Sequence, residues 1–317
     1  MKKIQFGFIG AGKIVHSSVA NILNHSSATA VGAFDLSEER VRSLCDTFDI
    51  PHTYSSAEEL LNNAEINAVY IAAPNKFHAS YAIQALNAGK NVFLEKPFAM
   101  NATEAEEVLQ KAKETGLAFM VGMNQRYTPD AQRIYSLARK GIFEDIHYGK
   151  AYWFRREGIP KLGTWFGNKE LAGAGAINDI GVHMLDLCLH IMGNFEPTSV
   201  SGSTYTKFGN RGLGEGGWGN SDRQDIPFDV DDLSTALIKM KNGATVSLET
   251  TWACHAGSPD RMNVEIFGTE AGASLYPGKL FYTDPSTGEY LIKETLKEPL
   301  ILPHCDRFHN FINHLLE

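Results

Sequence analysis

Short apolar runs alternate with amphipathic stretches along the first third of the chain. Residues 4–9, 29–34, 68–73, 91–95 and 118–121 are apolar and bounded by Gly, Pro, Asn or Asp, and they read as buried strands. Residues 13–24, 37–48 and 78–87 read as helices, the second with Glu38 and Glu39 at the positive end of its dipole. Ser56 with Glu59 and Thr103 with Glu106 match the capping box and predict two more helices. Gly89 and Gly116 mark helix ends. Strands alternating with helices imply right-handed crossovers and a parallel, doubly wound sheet over residues 1–121. Beyond that point the pattern changes. A helix over 129–140 precedes strand-like runs at 151–155, 233–240, 244–252 and 263–267, and Lys241-Asn242-Gly243 is a hairpin signal. Residues 122–317 therefore read as a second, α+β unit with a mostly antiparallel sheet, which makes the whole an α/β protein of two domains. Residues 207–220 are glycine-rich and predict a mobile loop, whose Trp218 either covers a ligand or a neighbouring subunit or stays solvated.

Composition narrows the partners. At 317 residues, 43% hydrophobic and 21% charged, the chain has the balance of a globular protein of two domains. A net charge of −8 argues against nucleic acid or an anionic membrane as a main partner, though not against a small anion. The four cysteines form no C-x-x-C pair, which points to reduced thiols in a cytoplasm. The apolar start breaks at Gly10 and Gly12, so it reads as a strand and not as an export signal. No run approaches the roughly 18 apolar residues that span a bilayer.

The candidate chemistry lies at the ends of the predicted strands. Gly10-Ala11-Gly12-Lys13-Ile14-Val15 follows the first strand and opens the first helix, where glycines let the backbone approach a pyrophosphate. The third fingerprint position is Val15 and not glycine or alanine, which weakens the motif. Asp35, about 20 residues further on, is placed to bind ribose hydroxyls and to repel a 2′-phosphate, which favours NAD over NADP. Arg40 would soften that preference, and the alternative for Asp35 is a helix cap. Ala73, Pro74, Asn75 and His78 follow the strand at 68–73 and are expected to line the cofactor cleft, with a packing role for His78 equally open. Glu95-Lys96-Pro97 ends the strand at 91–95, so Lys96 lies on the same side, to hold a hydroxyl in place or act with a lowered pKa. Asp179 and His183 stand at i and i+4 and share a helix face, and Asp186, three residues on, is placed to orient the imidazole. An imidazole near neutral pKa suits proton removal from an alcohol as hydride leaves its carbon. A divalent metal on Asp179, His183 and Asp186 is the lesser alternative, and no metal is expected.

These segments resemble the Gfo/Idh/MocA oxidoreductases, the family of glucose–fructose oxidoreductase and inositol dehydrogenase. The resemblance rests on Gly10-x-Gly12, on Ala72-Ala73-Pro74-Asn75-x-x-His78, on Glu95-Lys96-Pro97 and on Asp179-x-Gly181-x-His183-x-x-Asp186, in order and spacing. Asp231-Asp232, before the hairpin, also looks similar, and the likeness runs over nearly the whole chain. It implies an N-terminal Rossmann domain followed by an α/β domain whose large open sheet builds a homodimer or homotetramer. It implies NAD, with NADP possible, and a sugar, polyol or inositol-like substrate. By the same resemblance Lys96, Asp179 and His183 are the catalytic and substrate-binding set, His183 is the acid/base, and the Lys96-Pro97 bond is often cis. Glu95 and Lys96 join the expected cofactor contacts, and Asn124, Arg156 and Trp165 are expected at the substrate or nicotinamide. Two features depart from the family pattern. Gly173-Ala174-Gly175 replaces a glycine triplet, and the sequence stops at His314-Leu315-Leu316-Glu317 where relatives usually continue with a helical segment that packs back. Two other functions remain open: a dinucleotide-binding regulator without chemistry, and a glycosidase that uses NAD transiently.

Overall fold

The computed structural model describes residues 3–219 and 227–317. Its first unit contains the strands β1 (Ile4–Ile9), β2 (Ala28–Phe34), β3 (His52–Thr53), β4 (Ala68–Ile71), β5 (Asn91–Leu94) and β6 (Phe119–Val121). They pair in parallel in the order β3-β2-β1-β4-β5-β6, the doubly wound arrangement expected from the alternation. The helices α1 (Lys13–Leu23), α2 (Glu38–Phe48), α3 (Ala57–Asn62), α4 (His78–Asn87) and α5 (Ala102–Thr115) make the crossovers. The strands are buried on both faces, which is why they read as unbroken apolar runs.

Two of the capping expectations change in detail. Ser56 caps α3 by accepting from Glu59 N, but the Glu59 carboxylate reaches one residue further back, to the N and Oγ of Ser55. Helix α5 begins earlier than Thr103 implies. Asn101 is its cap, accepting from Glu104 N at 3.0 Å, and Glu104 returns a bond to Met100 N. Asn caps at least as well as Thr, and Thr103 falls inside the first turn.

The second unit is built on β7 (Ile146–Arg155), β8 (Pro197–Tyr205), β9 (Leu233–Met240), β10 (Thr245–Thr251), β11 (Asp260–Gly268), β12 (Ala271–Leu275), β13 (Gly278–Thr283) and β14 (Tyr290–Glu294). Their order is β14-β13-β12-β11-β7-β10-β9-β8, antiparallel except for the β7·β10 pair. Strand β8 escapes the sequence pattern because it is an edge strand, exposed at every residue, with no apolar alternation to betray it. The helix α6 (Pro129–Arg139), the short α7 (Lys169–Ala172) and α8 (Val182–Met192) follow the same chain. Ile134 and Leu137 of α6 and Met184, Leu187 and Ile191 of α8 pack on Val246, Leu248, Val264 and Ile266 of the sheet. On the other face, Leu237, Phe267 and Ile292 are exposed.

The end of the chain returns to the first unit. Helix α9 (Arg307–Leu316) places Phe308, Phe311 and Ile312 in the core with Phe6, Phe8, Tyr70 and Phe93, and the Phe93 and Phe308 rings are 4.7 Å apart. A division into 1–121 and 122–317 counts this helix with the second unit, whereas its apolar side lies in the core of the first. Among the described residues no helix is long and apolar enough to cross a membrane.

Candidate active site

The loops after β1 and β4 flank the point where the strand order reverses, the crevice in which ligands of such sheets bind. At Gly10 the backbone has φ +102°, and a Cβ would stand 2.6 Å from Ala72 O, so only glycine lets the two loops meet. Gly12 caps α1 without any side-chain hydrogen bond, which turns the positive end of that helix toward the crevice. Val15 sits fully buried beneath the turn. Asp35 accepts from Ala11 N at 2.8 Å and from Ser37 N at 2.9 Å, and Arg40 Nη1 lies 3.7 Å away. It therefore fixes the glycine turn; the cap of α2 is Ser37. The crevice, about 480 Å³, brings Gly10, Gly12, Lys13, Ile14, Asp35, Ala73 and Pro74 together. An uncapped helix end, a close backbone approach and a carboxylate at the end of β2 fit a dinucleotide with an unphosphorylated ribose.

A second cavity of about 400 Å³ adjoins it and shares Ile14, Ala72, Ala73, Trp165, Phe166 and Trp218 as walls. Lys96 enters from the end of β5 beside a cis Lys96–Pro97 bond. Asp179 comes from a π-helical turn, Ile177–Gly181, that leads into α8, where His183 lies. Such turns inside helices are rare and concentrate at functional sites. The turn is clamped by Asp231, which accepts from Gly175 N at 2.7 Å, Ile177 N at 3.0 Å and Ser234 Oγ at 2.7 Å. Lys96 Nζ is 2.7 Å from Asp179 Oδ1 and 2.9 Å from Asp179 O, and Trp252 Nε1 donates to Asp179 Oδ2 at 2.8 Å. His183 is buried, and its Nδ1 has no hydrogen-bond partner among the described residues.

The electrostatics separate the two groups. Burial pushes the His183 pKa well below its usual value, and the Lys96 charge adds to this while Asp179 opposes it. Burial works to raise the Asp179 carboxyl, but Lys96, the Trp252 indole and His183 outweigh it and hold the group below its ordinary range. A neutral imidazole beside a carboxylate and an ammonium can take a proton from a hydroxyl held in the cavity.

His190, stacked 4.0 Å from Tyr135, follows the same rule: burial, then Arg126, bring its pKa to about 4. Since the unfolded histidine binds its proton at about 6.5, the unfolded state holds more protons between these values. Stability is therefore full above about pH 6.5 and lost as the pH falls toward 4. His183 and His78, also lowered, act with the same sign. Melting curves should show the midpoint falling from neutral pH to about pH 5, with a shallower fall in His190→Gln. An equal slope in the two proteins would remove His190 from this account.

Several expected contacts lie elsewhere. Asp186 does not orient His183; it is bound by Arg126, through Nε at 2.7 Å and Nη2 at 2.5 Å. With it drawn away, the three side chains of the metal alternative do not converge, and no such group of three is found among the described residues. His78 borders the cavity, with Nδ1 2.7 Å from Pro97 O and Nε2 2.9 Å from Ala73 O, and the neutral ring donates to one of these carbonyls at a time. It lies between the loops that carry Ala73 and Pro97. Asn75 is buried at the edge of the same cavity and donates to Ala172 O at 2.8 Å, which ties the first unit to α7. Arg156 points away, donating to Ala256 O and Gly257 O. Its neighbour Arg155 lines the cavity instead, because adjacent side chains at a strand end face opposite sides. Asn124 and Trp165 do line it, as do Glu95 and Lys96.

Several hydrogen bonds and one ring contact hold the described part of the glycine-rich segment. Asp232 Oδ2 accepts from the amides of Lys207, Phe208 and Gly209, Leu162 N donates to Glu215, and Trp218 sets its ring against Phe166. Trp218 lines both cavities, while Asn220 lies outside the described residues. Reading the sequence missed Trp153, Arg155, Trp252 and Arg307 at the cavity. For Trp153 and Arg155 a signal existed, since they alternate with the buried Ala151. Arg307 carries no local signal.

Residues 4–123 match the model of the Gfo/Idh/MocA oxidoreductase family, described as an NAD-binding Rossmann fold, and residues 131–274 match the C-terminal domain of the same family. The chain belongs to this family and is an NAD-dependent oxidoreductase. It is 30% identical over 320 residues to D-glucoside 3-dehydrogenase of Escherichia coli (strain K12), covering 98% of this chain and 88% of that protein. To levoglucosan dehydrogenase of Pseudarthrobacter phenanthrenivorans it is 31% identical over 236 residues, 70% of this chain and 58% of that one. The solved complex of levoglucosan dehydrogenase with NADH and levoglucosan has the same fold, with a TM-score of 0.77 at 23% identity over 92% of this chain and 80% of that one.

Proposed function

We propose that the protein oxidises a secondary hydroxyl of a sugar, most simply a pyranoside, or reduces the matching carbonyl. The observation that carries this reading is the 2.7 Å pair of Lys96 and Asp179 beside the buried His183, in a cavity that shares its wall with the nucleotide crevice. Bound NAD supplies the hydride acceptor. Lys96 holds and polarises the hydroxyl oxygen, His183 takes its proton through the imidazole, and Asp179 steadies the ammonium and the imidazolium that forms. Trp153, Trp165 and Trp218 line the cavity with flat apolar surface while Asn124, Arg155 and Asp260 supply polar groups, a mixture suited to a ring with one apolar face and many hydroxyls. The sugar dehydrogenases among its relatives support the same substrate class. Asp35 supports NAD over NADP, because its carboxylate repels a 2′-phosphate. Tyr148, Tyr152, Leu237, Phe267 and Ile292 on the open face of the large sheet support a homodimer or homotetramer joined there.

Incubation with NAD and a panel of methyl β-D-glucopyranoside, levoglucosan and simple polyols, followed by NADH absorbance, tests this reading. We expect NADH release with at least one sugar and a slower reaction with NADP. Tight NAD binding with no turnover anywhere in the panel would favour a regulator. Cleavage of the glycoside without net NADH would favour a glycosidase.

A further inference from the structure

Two carboxylates and two cations meet at the end of β5. Asp179 holds Lys96, while Glu95, the residue before it, holds Arg307 from the first turn of α9. Arg307 Nη2 is 2.6 Å from Glu95 Oε1, and Nη1 donates to Gly122 O at 2.9 Å. Tyr70 OH donates to the same Glu95 Oε1 at 2.7 Å and meets Ser18 Oγ at 2.9 Å. The guanidinium also lies over the rings of Phe93 and Phe308. Both members of the pair are almost fully buried, their side chains 10% and 8% exposed. Glu95 and Arg307 line the same cavity as Lys96, and Lys96 N is itself 3.3 Å from Glu95 Oε2.

A buried carboxylate deprived of its cation takes up a proton or captures another cation. Here the other cation is the Lys96 ammonium on the next residue. We propose that Arg307 is a positioning residue for the reaction: by occupying the Glu95 carboxylate it leaves Lys96 to Asp179, and so to the substrate oxygen. The inference rests on the assignment of Lys96 and Asp179 to the chemistry. It also gives the last helix a role beyond closing the first core, because α9 delivers the arginine. The positive charge of Arg307 helps, after burial and Lys96, to keep His183 neutral.

The test compares Arg307→Met with the double variant Arg307→Met/Glu95→Gln, using NAD and whichever sugar of the panel is turned over. The single variant should bind NAD normally and lose about 10- to 100-fold in kcat through a misplaced Lys96. The double variant, with no free carboxylate at position 95, should regain most of the loss. A double variant no better than the single one would overturn the proposal, as would a folded single variant with unchanged kcat. Arg307→Gln serves in place of Arg307→Met if the latter does not fold. Should no sugar yield NADH with the unaltered protein, the functional reading fails, and a crystal structure of the arginine variant still decides this one. Lys96 Nζ found on Glu95 supports it, and Nζ still on Asp179 overturns it.

Discussion

His183→Ala lowers turnover by about 10²- to 10⁴-fold while NAD affinity stays close to that of the unaltered protein. The expectation follows from where the residue stands. His183 is buried in the cavity walled by Trp153, Trp252 and the Asp179 turn, whereas Gly10, Gly12 and Asp35 lie in the adjoining crevice. Burial and the Lys96 charge keep the imidazole neutral, which is the state that accepts a proton from an alcohol. Stopped-flow or steady-state kinetics with a reactive sugar, together with NAD titration by fluorescence, separate the two effects. His183→Gln, which keeps a polar group of similar reach but cannot act as a base, should be nearly as slow. Turnover near the original rate in either variant would remove His183 from proton transfer, and the acid–base role would then have to pass to Asp179 or Lys96.

Gly175→Ala should destabilise the protein by about 3 kcal/mol or more and lower turnover together with stability. A Cβ at this position would meet Asp231 O and come within 2.9 Å of Asp231 C and Val230 Cγ2. The obstacle is backbone, which cannot rotate aside as a side chain can. The same aspartate clamps Gly175 N and Ile177 N, and Ala176 N donates to Asp231 O at 3.0 Å. Any shift that makes room for the methyl group therefore moves the π-helical turn that carries Asp179. Chemical denaturation gives the stability change, and the kcat of the folded fraction gives the displacement of Asp179. An unchanged unfolding midpoint would mean that the segment holding Asp231, before β9, yields more easily than its hydrogen bonds imply.

The departure from a glycine triplet thus has a local reason. Ala174 lines the cavity, where a methyl group has room, whereas Gly175 lies against the Asp231 backbone. Other parts of the site were legible for similarly simple reasons. Gly10 and Gly12 announced a close approach because few other uses of two glycines fit a strand-to-helix turn. Asp179 and His183 were legible as neighbours because i and i+4 positions stay together even when the helix widens locally into a π turn. The same spacing argument failed for Asp186. It adjoins His183 along the helix, but Arg126 offers it two charge-assisted hydrogen bonds from a different element. His78 lies at the cavity as expected, and the backbone carbonyls beside its ring also give it the packing role that the sequence left open.

The amphipathic spacing of Phe308, Phe311, Ile312 and Leu315 was present in the sequence as a helical stripe. It did not reveal which core the stripe would enter, because apolar surface is non-directional and fits any complementary face. By itself the sequence determined the alternation that winds the first sheet, the nucleotide turn, and the residue types that carry the chemistry, all of which depend on near neighbours in the chain. Only the tertiary structure decided that Lys96 pairs with Asp179 and not with Glu95, that Trp252 and Arg155 reach the cavity, and that the last helix supplies Arg307. Charges choose partners by distance in space and by how much water each loses, and neither quantity exists until the chain has folded.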